Sequence, residues 1–197
     1  LKPIATPEDA PARPSSVYAA TKLMQEHLLL QAAEVAPWSV AVLRLQNVYG
    51  PGQSLNNPYT GVLSIFTRAL LAGRTVNVFE DGQITRDFIF IDDAVDALVK
   101  TSDVRRKLDG PVNIGTGRGI TILEAAEILA AQAGRGADAV SVSKKFRTGD
   151  VRHAVADVRR ASEILDWKPT TTFREGVVRL VDWAKEELGE PSTSAQC

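Results

Sequence analysis

The stretch Ser15-Ser16-Val17-Tyr18-Ala19-Ala20-Thr21-Lys22 decides how the rest of the chain is interpreted. Tyr18 and Lys22 are four residues apart, so on a helix their side chains lie on one face. An ammonium group beside a phenol stabilises the phenolate, and such a tyrosine can take a proton from a substrate hydroxyl while hydride leaves the same carbon. This is the general-base half of alcohol oxidation with a nicotinamide cofactor. An isolated Tyr-x-x-x-Lys match is more often an exposed helix pair, so the motif needs support from elsewhere in the chain.

The composition is that of a globular protein with balanced charge. The chain has 197 residues, 44% of them hydrophobic, which is enough to bury a core. Its 23 basic and 24 acidic residues leave a formal net charge of −1, so nothing in the charge balance predicts binding to nucleic acid or to a membrane surface. The single cysteine is Cys197, no internal disulfide is possible, and no apolar run is long enough to span a bilayer. We therefore expect a cytoplasmic protein, and because the first residue is Leu1 we expect the native polypeptide to begin upstream.

Helices and strands alternate along the chain. The predicted helices cover residues 16–34, 62–72, 92–100, 121–133, 158–165 and 173–188, and the predicted strands cover residues 39–45, 75–79, 85–91, 111–114 and 140–142. The first strand is nearly all apolar, which is typical of a strand buried on both faces of a parallel sheet, and a helix followed by such a strand predicts α/β winding. Two helical faces are predicted to pack on a core: Val17, Ala20, Met24 and Leu28 on the first helix, and Ala94, Val95, Leu98 and Val99 on the third.

A predicted loop over residues 46–53 follows the first strand. The carboxyl ends of strands are where open α/β sheets bind ligands, so Asn47 fits a ligand contact as well as it fits a turn residue. Gly115-x-Gly117-x-Gly119 is one position short of a dinucleotide-binding pattern and is interpreted as a turn. His27 and His153 have no metal-ligand spacing, and no metal site is expected.

Three arginines, Arg86, Arg147 and Arg152, stand in predicted loops or at strand edges. Guanidinium groups bind phosphate oxygens through paired hydrogen bonds, which makes them suited to a diphosphate. For any single arginine, surface pairing with Asp87 or Asp150 is the more common explanation. As a set, together with Asn47 and a Tyr-Lys pair, they favour a phosphate-bearing ligand.

With these motifs in place, the sequence resembles the extended short-chain dehydrogenase/reductases that act on nucleotide sugars, the NAD-dependent epimerases and dehydratases. The residues that carry the resemblance occur in the family's order: Tyr18-x-x-x-Lys22, Leu43-Arg44-Leu45-Gln46-Asn47-Val48-Tyr49-Gly50-Pro51, Asp81-Gly82-x-x-Thr85-Arg86-Asp87-Phe88, Asn113-Ile114-Gly115-x-Gly117 and Arg147-x-Gly149-Asp150-Val151-Arg152. The stretch from Asn47 to Phe66 resembles most the deoxythymidine-diphosphate-sugar 4-epimerases. The motifs span nearly the whole chain, and they are specific together although none is specific alone.

The resemblance implies an α/β fold: the C-terminal part of a Rossmann-type parallel sheet plus a smaller α/β substrate-binding lobe. It assigns residues 1–58, joined in part by 84–114, to the NAD-binding domain, residues 59–83 and 115–190 to the nucleotide-sugar-binding lobe, and residues 191–197 to a flexible tail. It also implies a homodimer.

The resemblance implies roles for individual residues as well. Tyr18 would be the catalytic acid and base, and Lys22 would hold the nicotinamide ribose. Leu45 and Val48 would contact the NAD cofactor beside them. The residues implied to bind the nucleotide-diphosphate hexose, a dTDP- or UDP-sugar, are Asn47, Val62, Asn77, Phe79, Arg86, Arg147 and Asp150.

Two features of the family have no counterpart here. The family opens with G-x-x-G-x-x-G, which cradles the NAD diphosphate, and carries a catalytic Ser or Thr upstream of the tyrosine. The chain is therefore expected to be the back part of such an enzyme and to bind NAD poorly by itself. We expect Tyr18 to face a cleft, and Arg86 and Arg147 to lie on the same side of the molecule. The alternatives to a 4-epimerase are a 4,6-dehydratase or decarboxylase of the same family and, for this chain alone, a non-catalytic nucleotide-sugar-binding module.

Overall fold

The computed structural model describes residues 4–57, 61–102, 108–143, 145 and 151–189. The helices are α1 (Val17–Val35), α2 (Val62–Leu71), α3 (Ile91–Ser102), α4 (Ile122–Gln132), α5 (Arg159–Leu165) and α6 (Phe173–Glu187), with a 3₁₀ turn at Ala137–Ala139. The strands are β1 (Leu43–Leu45), β2 (Asn47–Tyr49), β3 (Val76–Val78), β4 (Thr85–Arg86), β5 (Phe88–Phe90), β6 (Val112–Ile114), β7 (Ile120–Thr121), β8 (Val140–Val142) and β9 (His153–Ala154). None of the helices among these residues is long and apolar enough to cross a membrane.

Most strand pairings are parallel, as the α/β prediction requires. β1 pairs with β6, β2 with β5, β3 with β8 and β4 with β9 in parallel, and among the described strands only β4 with β7 is antiparallel. The predicted α/β class with parallel strand pairing is therefore confirmed. The domain boundaries drawn from the sequence stay a prediction.

The chain changes strand partner at two adjacent points. Gln46 donates its N–H to Ile114 in the β1–β6 register, whereas Asn47 donates to the main-chain oxygen of Asp87 and so begins the pairing with β5. On the neighbouring segment, β4 pairs with β7 and β9 before Asp87, and β5 pairs with β2 after it. Asn47 and Asp87 therefore lie where two pieces of sheet meet.

Two hydrophobic clusters share β5, because successive side chains of a strand point to opposite faces. Phe88 and Phe90 pack into the larger cluster, which α2, α4 and α6 cover. Ile89 packs into the smaller one, which contains Trp167 and lies among β6, α3 and α5. All three residues of β5 are buried, as expected for a strand covered on both faces.

Several element boundaries differ from the sequence prediction. The predicted loop at 46–53 contains β2, because Asn47, Val48 and Tyr49 find a partner strand in β5. The predicted strand 85–91 is interrupted at Asp87 and ends before Ile91, where α3 begins. The short strands β7 and β9 were not predicted, because two-residue strands depend on tertiary pairing rather than on a sequence period.

The predicted core-facing stripes on the first and third helices are wrong. On α1, Val17, Met24 and Leu28 are 82%, 60% and 62% exposed, and Ala33 is the only buried residue of that helix. On α3, Ala94 is buried but Val95, Leu98 and Val99 are exposed. Helical periodicity identifies an apolar face, but it does not show that anything in the same chain covers that face.

Candidate functional site

Tyr18 and Lys22 lie on one face of α1. Ser16 caps the helix, its hydroxyl oxygen accepting a hydrogen bond from the Ala19 N–H at 3.1 Å, so the helix begins at Val17 and Tyr18 stands in its first turn. The Lys22 Nζ lies 5.6 Å from the centre of the Tyr18 ring, and it also donates to Gln25 Oε1 at 3.3 Å. The spacing in the sequence thus produces the expected contact between a phenol and an ammonium group.

The Tyr18 side chain is 72% exposed, so the described residues of this chain do not enclose it. The expectation that Tyr18 opens onto a cleft is wrong for the chain taken alone. The reason is the attachment of α1, which meets the rest of the protein at few points and buries only Ala33.

One of those points is an ion pair between α1 and β1. Arg44 donates from Nε to Glu26 Oε2 at 2.9 Å and from Nη2 to Glu26 Oε1 at 2.6 Å, a two-pronged contact that fixes direction as well as distance. Arg44 also donates to the main-chain oxygen of Glu8 at 2.9 Å. The hydrogen bonds that Arg44 donates to Glu26 raise the pKa of Arg44, so the guanidinium stays charged. Glu26 lies one turn beyond Lys22, and this pair therefore positions the Tyr18–Lys22 face relative to the sheet.

Asn47 and Arg86 form a second group at the sheet junction. The Asn47 side chain donates from Nδ2 to the main-chain oxygen of Asp87 at 3.2 Å, and its own N–H donates to the same oxygen at 3.0 Å. Arg86 donates from Nη1 to the main-chain oxygens of Thr85 at 2.9 Å and Val151 at 2.5 Å. Residues 86 and 87 are adjacent, so the structure brings these two predicted diphosphate ligands to the same junction.

A third group lies on β3 and α2. Asn77 is exposed on β3, and its Oδ1 accepts a hydrogen bond from the Ser141 hydroxyl at 2.6 Å, a partner that the sequence did not indicate. Phe79 follows β3 with 43% of its surface exposed, which leaves an aromatic face available. Val62 is the first residue of α2 and is partly buried against the larger cluster.

The two predicted cofactor contacts on the sheet have different environments. Leu45 ends β1 and is exposed, whereas Val48 on β2 packs against the smaller hydrophobic cluster. Arg147 and Asp150 lie outside the described residues. The expectation that Arg86 and Arg147 share one side of the molecule is therefore still a prediction.

Arg152 is held by two carboxylates rather than left open for a phosphate. It donates to Glu80 at 3.0 Å and to Asp81 at 2.5 Å, and this contact keeps the pKa of the Asp81 carboxyl below its usual value. The more common explanation, a surface ion pair, thus holds for Arg152, with partners that the sequence did not identify. Asp87 is not the surface partner suggested from the sequence, because its side chain is fully buried.

Tyr49 is the other described tyrosine, and its surroundings exclude it as a general base. It is buried in the larger cluster, and its hydroxyl donates to the main-chain oxygen of Phe173 at 3.2 Å. Burial is the main cause that raises its pKa above that of a free phenol.

Within the described ranges, no group of three or more His, Cys, Asp or Glu side chains could hold a metal ion.

A family model described as GDP-mannose 4,6 dehydratase matches residues 1–180. The chain belongs to this family. It is 43% identical over 176 residues to the dTDP-L-rhamnose 4-epimerase of Burkholderia thailandensis, a match that covers 89% of this chain and 48% of that protein. The resemblance inferred from the motifs is thereby confirmed.

Solved structures show the same fold. A UDP-glucose 4-epimerase from Thermotoga maritima, solved with UDP-glucose, superposes with a TM-score of 0.87 at 33% identity and covers 95% of this chain and 59% of that one. The structure of MoeE5 in complex with UDP-glucose and NAD gives a TM-score of 0.84 at 36% identity, over 93% of this chain and 60% of that one. The chain thus spans about half to three fifths of the length of the relatives it matches.

Proposed function

We propose that the enzyme of which this chain forms a part is an NAD-dependent 4-epimerase of nucleotide-diphosphate sugars. The observation that carries the proposal is the Tyr18–Lys22 pair, in which an ammonium group lies 5.6 Å from the ring of an accessible phenol. Family membership and the similarity to a dTDP-sugar epimerase and a UDP-glucose epimerase support it.

Tyr18 would perform the proton transfers. When bound, NAD would supply reversible hydride transfer at the sugar C4, with a transient 4-keto sugar between the two transfers. Tyr18 would take the C4 hydroxyl proton in the first half of the reaction and give it back in the second. Lys22 would stabilise the phenolate and donate hydrogen bonds to the nicotinamide ribose, with Leu45 and Val48 as apolar contacts nearby.

The residues present suit one end of the cofactor. The accessible Tyr18–Lys22 face offers a cation and a hydroxyl to a ribose and a nicotinamide ring. The sequence of this chain holds no G-x-x-G-x-x-G for the cofactor's diphosphate. In this proposal, residues outside this chain supply that contact and cover Tyr18.

The substrate would be a dTDP- or UDP-hexose. Asn47 and Arg86 would bind its diphosphate together with Arg147, because amide and guanidinium donors suit phosphate oxygens. Phe79, Asn77 and Val62 would contact the base, and Asp150 the nucleotide ribose. Binding at this remote group would hold the nucleotide while the sugar turns between the two hydride transfers. A homodimer in the cytoplasm remains part of the proposal.

The test is a Tyr18→Phe substitution in the complete NAD-loaded enzyme, with turnover followed on a panel of dTDP- and UDP-hexoses. We expect turnover to fall at least 100-fold, in line with loss of a positioned acid–base group, while nucleotide binding is retained. Tyr49→Phe is the matched control, because it removes a buried hydroxyl that only bonds to the main chain. Wild-type turnover in Tyr18→Phe would reject the assignment.

Two observations each favour an alternative function. The matched family favours a 4,6-dehydratase as the runner-up chemistry, a decarboxylase is a further alternative, and product analysis of the same panel separates these outcomes. The exposure of Tyr18 favours a non-catalytic nucleotide-sugar-binding module for this chain by itself.

A further inference from the structure

Asp87 is a fully buried carboxylate at the point where two pieces of sheet meet. It separates β4 from β5, and its N–H donates to the main-chain oxygen of Ala154 at 3.0 Å. A buried charge is costly unless it is hydrogen-bonded, so its partners show what holds it there.

The carboxylate is surrounded by donors from two other segments. Its Oδ1 accepts from the Thr116 N–H at 2.8 Å and the Thr116 hydroxyl at 2.6 Å. Its Oδ2 accepts from the Gly117 N–H at 3.0 Å and the Ala156 N–H at 3.4 Å. Consecutive N–H groups in a turn form an anion-binding concavity, and here the anion is the protein's own side chain.

Glycine is needed for this approach. A Cβ on Gly115 would lie 2.6 Å from Asp87 Oδ2, and Gly117 has a φ of +68°, in the left-handed region that favours glycine. The Gly115-x-Gly117 pattern interpreted from sequence as a turn therefore binds a carboxylate of the same chain.

The main chain of Asp87 connects this buried contact to the proposed diphosphate ligands. Its oxygen accepts both hydrogen bonds from Asn47, and the residue before it is Arg86. Any shift of Asp87 therefore moves both ligands at once.

We propose that Asp87 is a positioning residue, whose buried carboxylate holds Asn47 and Arg86 in the register needed to bind a nucleoside diphosphate. The inference rests on the proposed function, because it assumes that Asn47 and Arg86 bind the diphosphate. It adds a residue that touches no ligand itself and acts through two that do.

The protein contains a matched control. Asp93, in the first turn of α3, is also a buried carboxylate, and its Oδ1 accepts from the Thr170 N–H at 2.9 Å and the Thr170 hydroxyl at 2.8 Å, with the Thr171 N–H on Oδ2 at 3.0 Å. Three of the four hydrogen bonds that the Asp87 carboxylate accepts have counterparts at Asp93, but there they connect α3 to the segment before α6. Asp93 is thus a chemical equivalent whose carboxylate bonds to Thr170 and Thr171 rather than to the segments around Asn47 and Arg86.

The experiment compares D87N and D93N in this chain by calorimetric titration with dTDP and with UDP, well below the melting temperature of each variant. Both substitutions place an amide NH₂ against backbone donors, and both should lower the melting temperature. We expect D87N to weaken nucleotide binding about tenfold, the scale of a lost charge-assisted hydrogen bond, and D93N to change it less than twofold.

A double-mutant cycle separates positioning from general destabilisation. If Asp87 acts through Asn47 and Arg86, adding D87N to an N47A/R86Q variant should weaken binding by much less than tenfold. If D87N does not fold, T116V replaces it and T170V is its control, because each removes a hydroxyl that donates to its carboxylate. T116V also removes the acceptor of the Arg118 N–H.

Each outcome decides something different. Wild-type chain that binds neither nucleotide contradicts the proposed function. Wild-type binding that D87N, or T116V in its place, leaves unchanged overturns the positioning role while the proposed function stands. Equal losses in the Asp87 and Asp93 variants, or full additivity of D87N with N47A/R86Q, would likewise overturn it.

Discussion

At the scale of single residues, surroundings separate side chains of the same type. Tyr18 is accessible beside Lys22, whereas Tyr49 is enclosed by aromatic rings and by α6. Gly176 of α6 makes that enclosure possible, because a Cβ there would collide with the Tyr49 hydroxyl oxygen and would lie 2.8 Å from Phe90 Cδ2.

Gly176→Ala should therefore destabilise the protein, although alanine is the better helix former by about 1 kcal/mol. Overpacking a core costs about 1–3 kcal/mol, and a contact this short lies at the upper end, so the steric cost outweighs the propensity gain. Chemical denaturation measures the change. Adding Tyr49→Phe removes the nearest atom, and the double variant should lose less than the sum of the single variants. Unchanged stability in Gly176→Ala would show that α6 lies farther from Tyr49.

At the scale of elements, α1 differs from the helices of the larger cluster. It has 19 residues and one buried side chain, whereas the 11-residue α4 buries Ala125, Ala126, Leu129 and Ala130. Its apolar residues therefore add little to the stability of this chain.

Leu28→Gln and Leu129→Ala test this difference. Because Leu28 is exposed, its substitution should change the free energy of unfolding by less than about 0.5 kcal/mol. Leu129 is fully buried, and truncating it should cost about 2–5 kcal/mol. Urea unfolding of both variants gives the comparison. A large loss in Leu28→Gln would mean that α1 is packed against the chain after all.

The start of α6 is stabilised by a capping box. Thr172 accepts a hydrogen bond from the Glu175 N–H, while Glu175 Oε2 accepts from the Thr172 N–H at 2.9 Å and from its hydroxyl at 2.6 Å. The hydroxyl, followed by the backbone N–H, lowers the pKa of Glu175.

This box should make part of the stability dependent on pH. Since the folded-state pKa of Glu175 is lowered, its contribution is present above the unfolded value of about 4.3 and is lost as pH falls through the folded-state pKa. The stability deficit of Glu175→Ala should therefore shrink in acid. Thr121→Ala is the control: it removes the α4 cap, which accepts from the Glu124 N–H, and should cost about 0.5–2 kcal/mol without that acid dependence. A Glu175→Ala deficit that stays constant down to acid pH would contradict the assignment.

At the scale of the whole molecule, the described residues support the Asn47–Arg86 junction but do not enclose the Tyr18–Lys22 face. β5 packs between the two hydrophobic clusters, and it pairs with β2 at the junction where Asn47 and Arg86 lie. The Tyr18–Lys22 face has no comparable enclosure, and in the described part of the chain β1 pairs only with β6.

The chain by itself should therefore bind dTDP or UDP but bind NAD poorly. The groups proposed to hold a nucleoside diphosphate are all in this chain, whereas a glycine-rich loop for the NAD diphosphate is absent from its sequence. Parallel calorimetric titrations with the three ligands measure the contrast. Tight NAD binding would show that the cofactor needs no contact beyond those in this chain.

Much of the fold could be predicted because local signals and tertiary contacts agree. The helices at 17–35, 62–71 and 173–187 lie within a few residues of their predicted positions, since each has a cap or an apolar period that is visible in the sequence. The short strands, the interruption at Asp87 and the partners of Arg152 could not be predicted, because they depend on segments distant in sequence.

The sequence by itself determined the α/β class, the family and the Tyr18–Lys22 pair, because these follow from periodicity, spacing and motif order along the chain. Only the tertiary structure decided that Asp87 is a buried hydrogen-bonded carboxylate, that the apolar face of α1 is exposed, and that Tyr49 is enclosed. Burial is a property of what packs against a residue, and neighbours distant in sequence are brought together only by the folded chain.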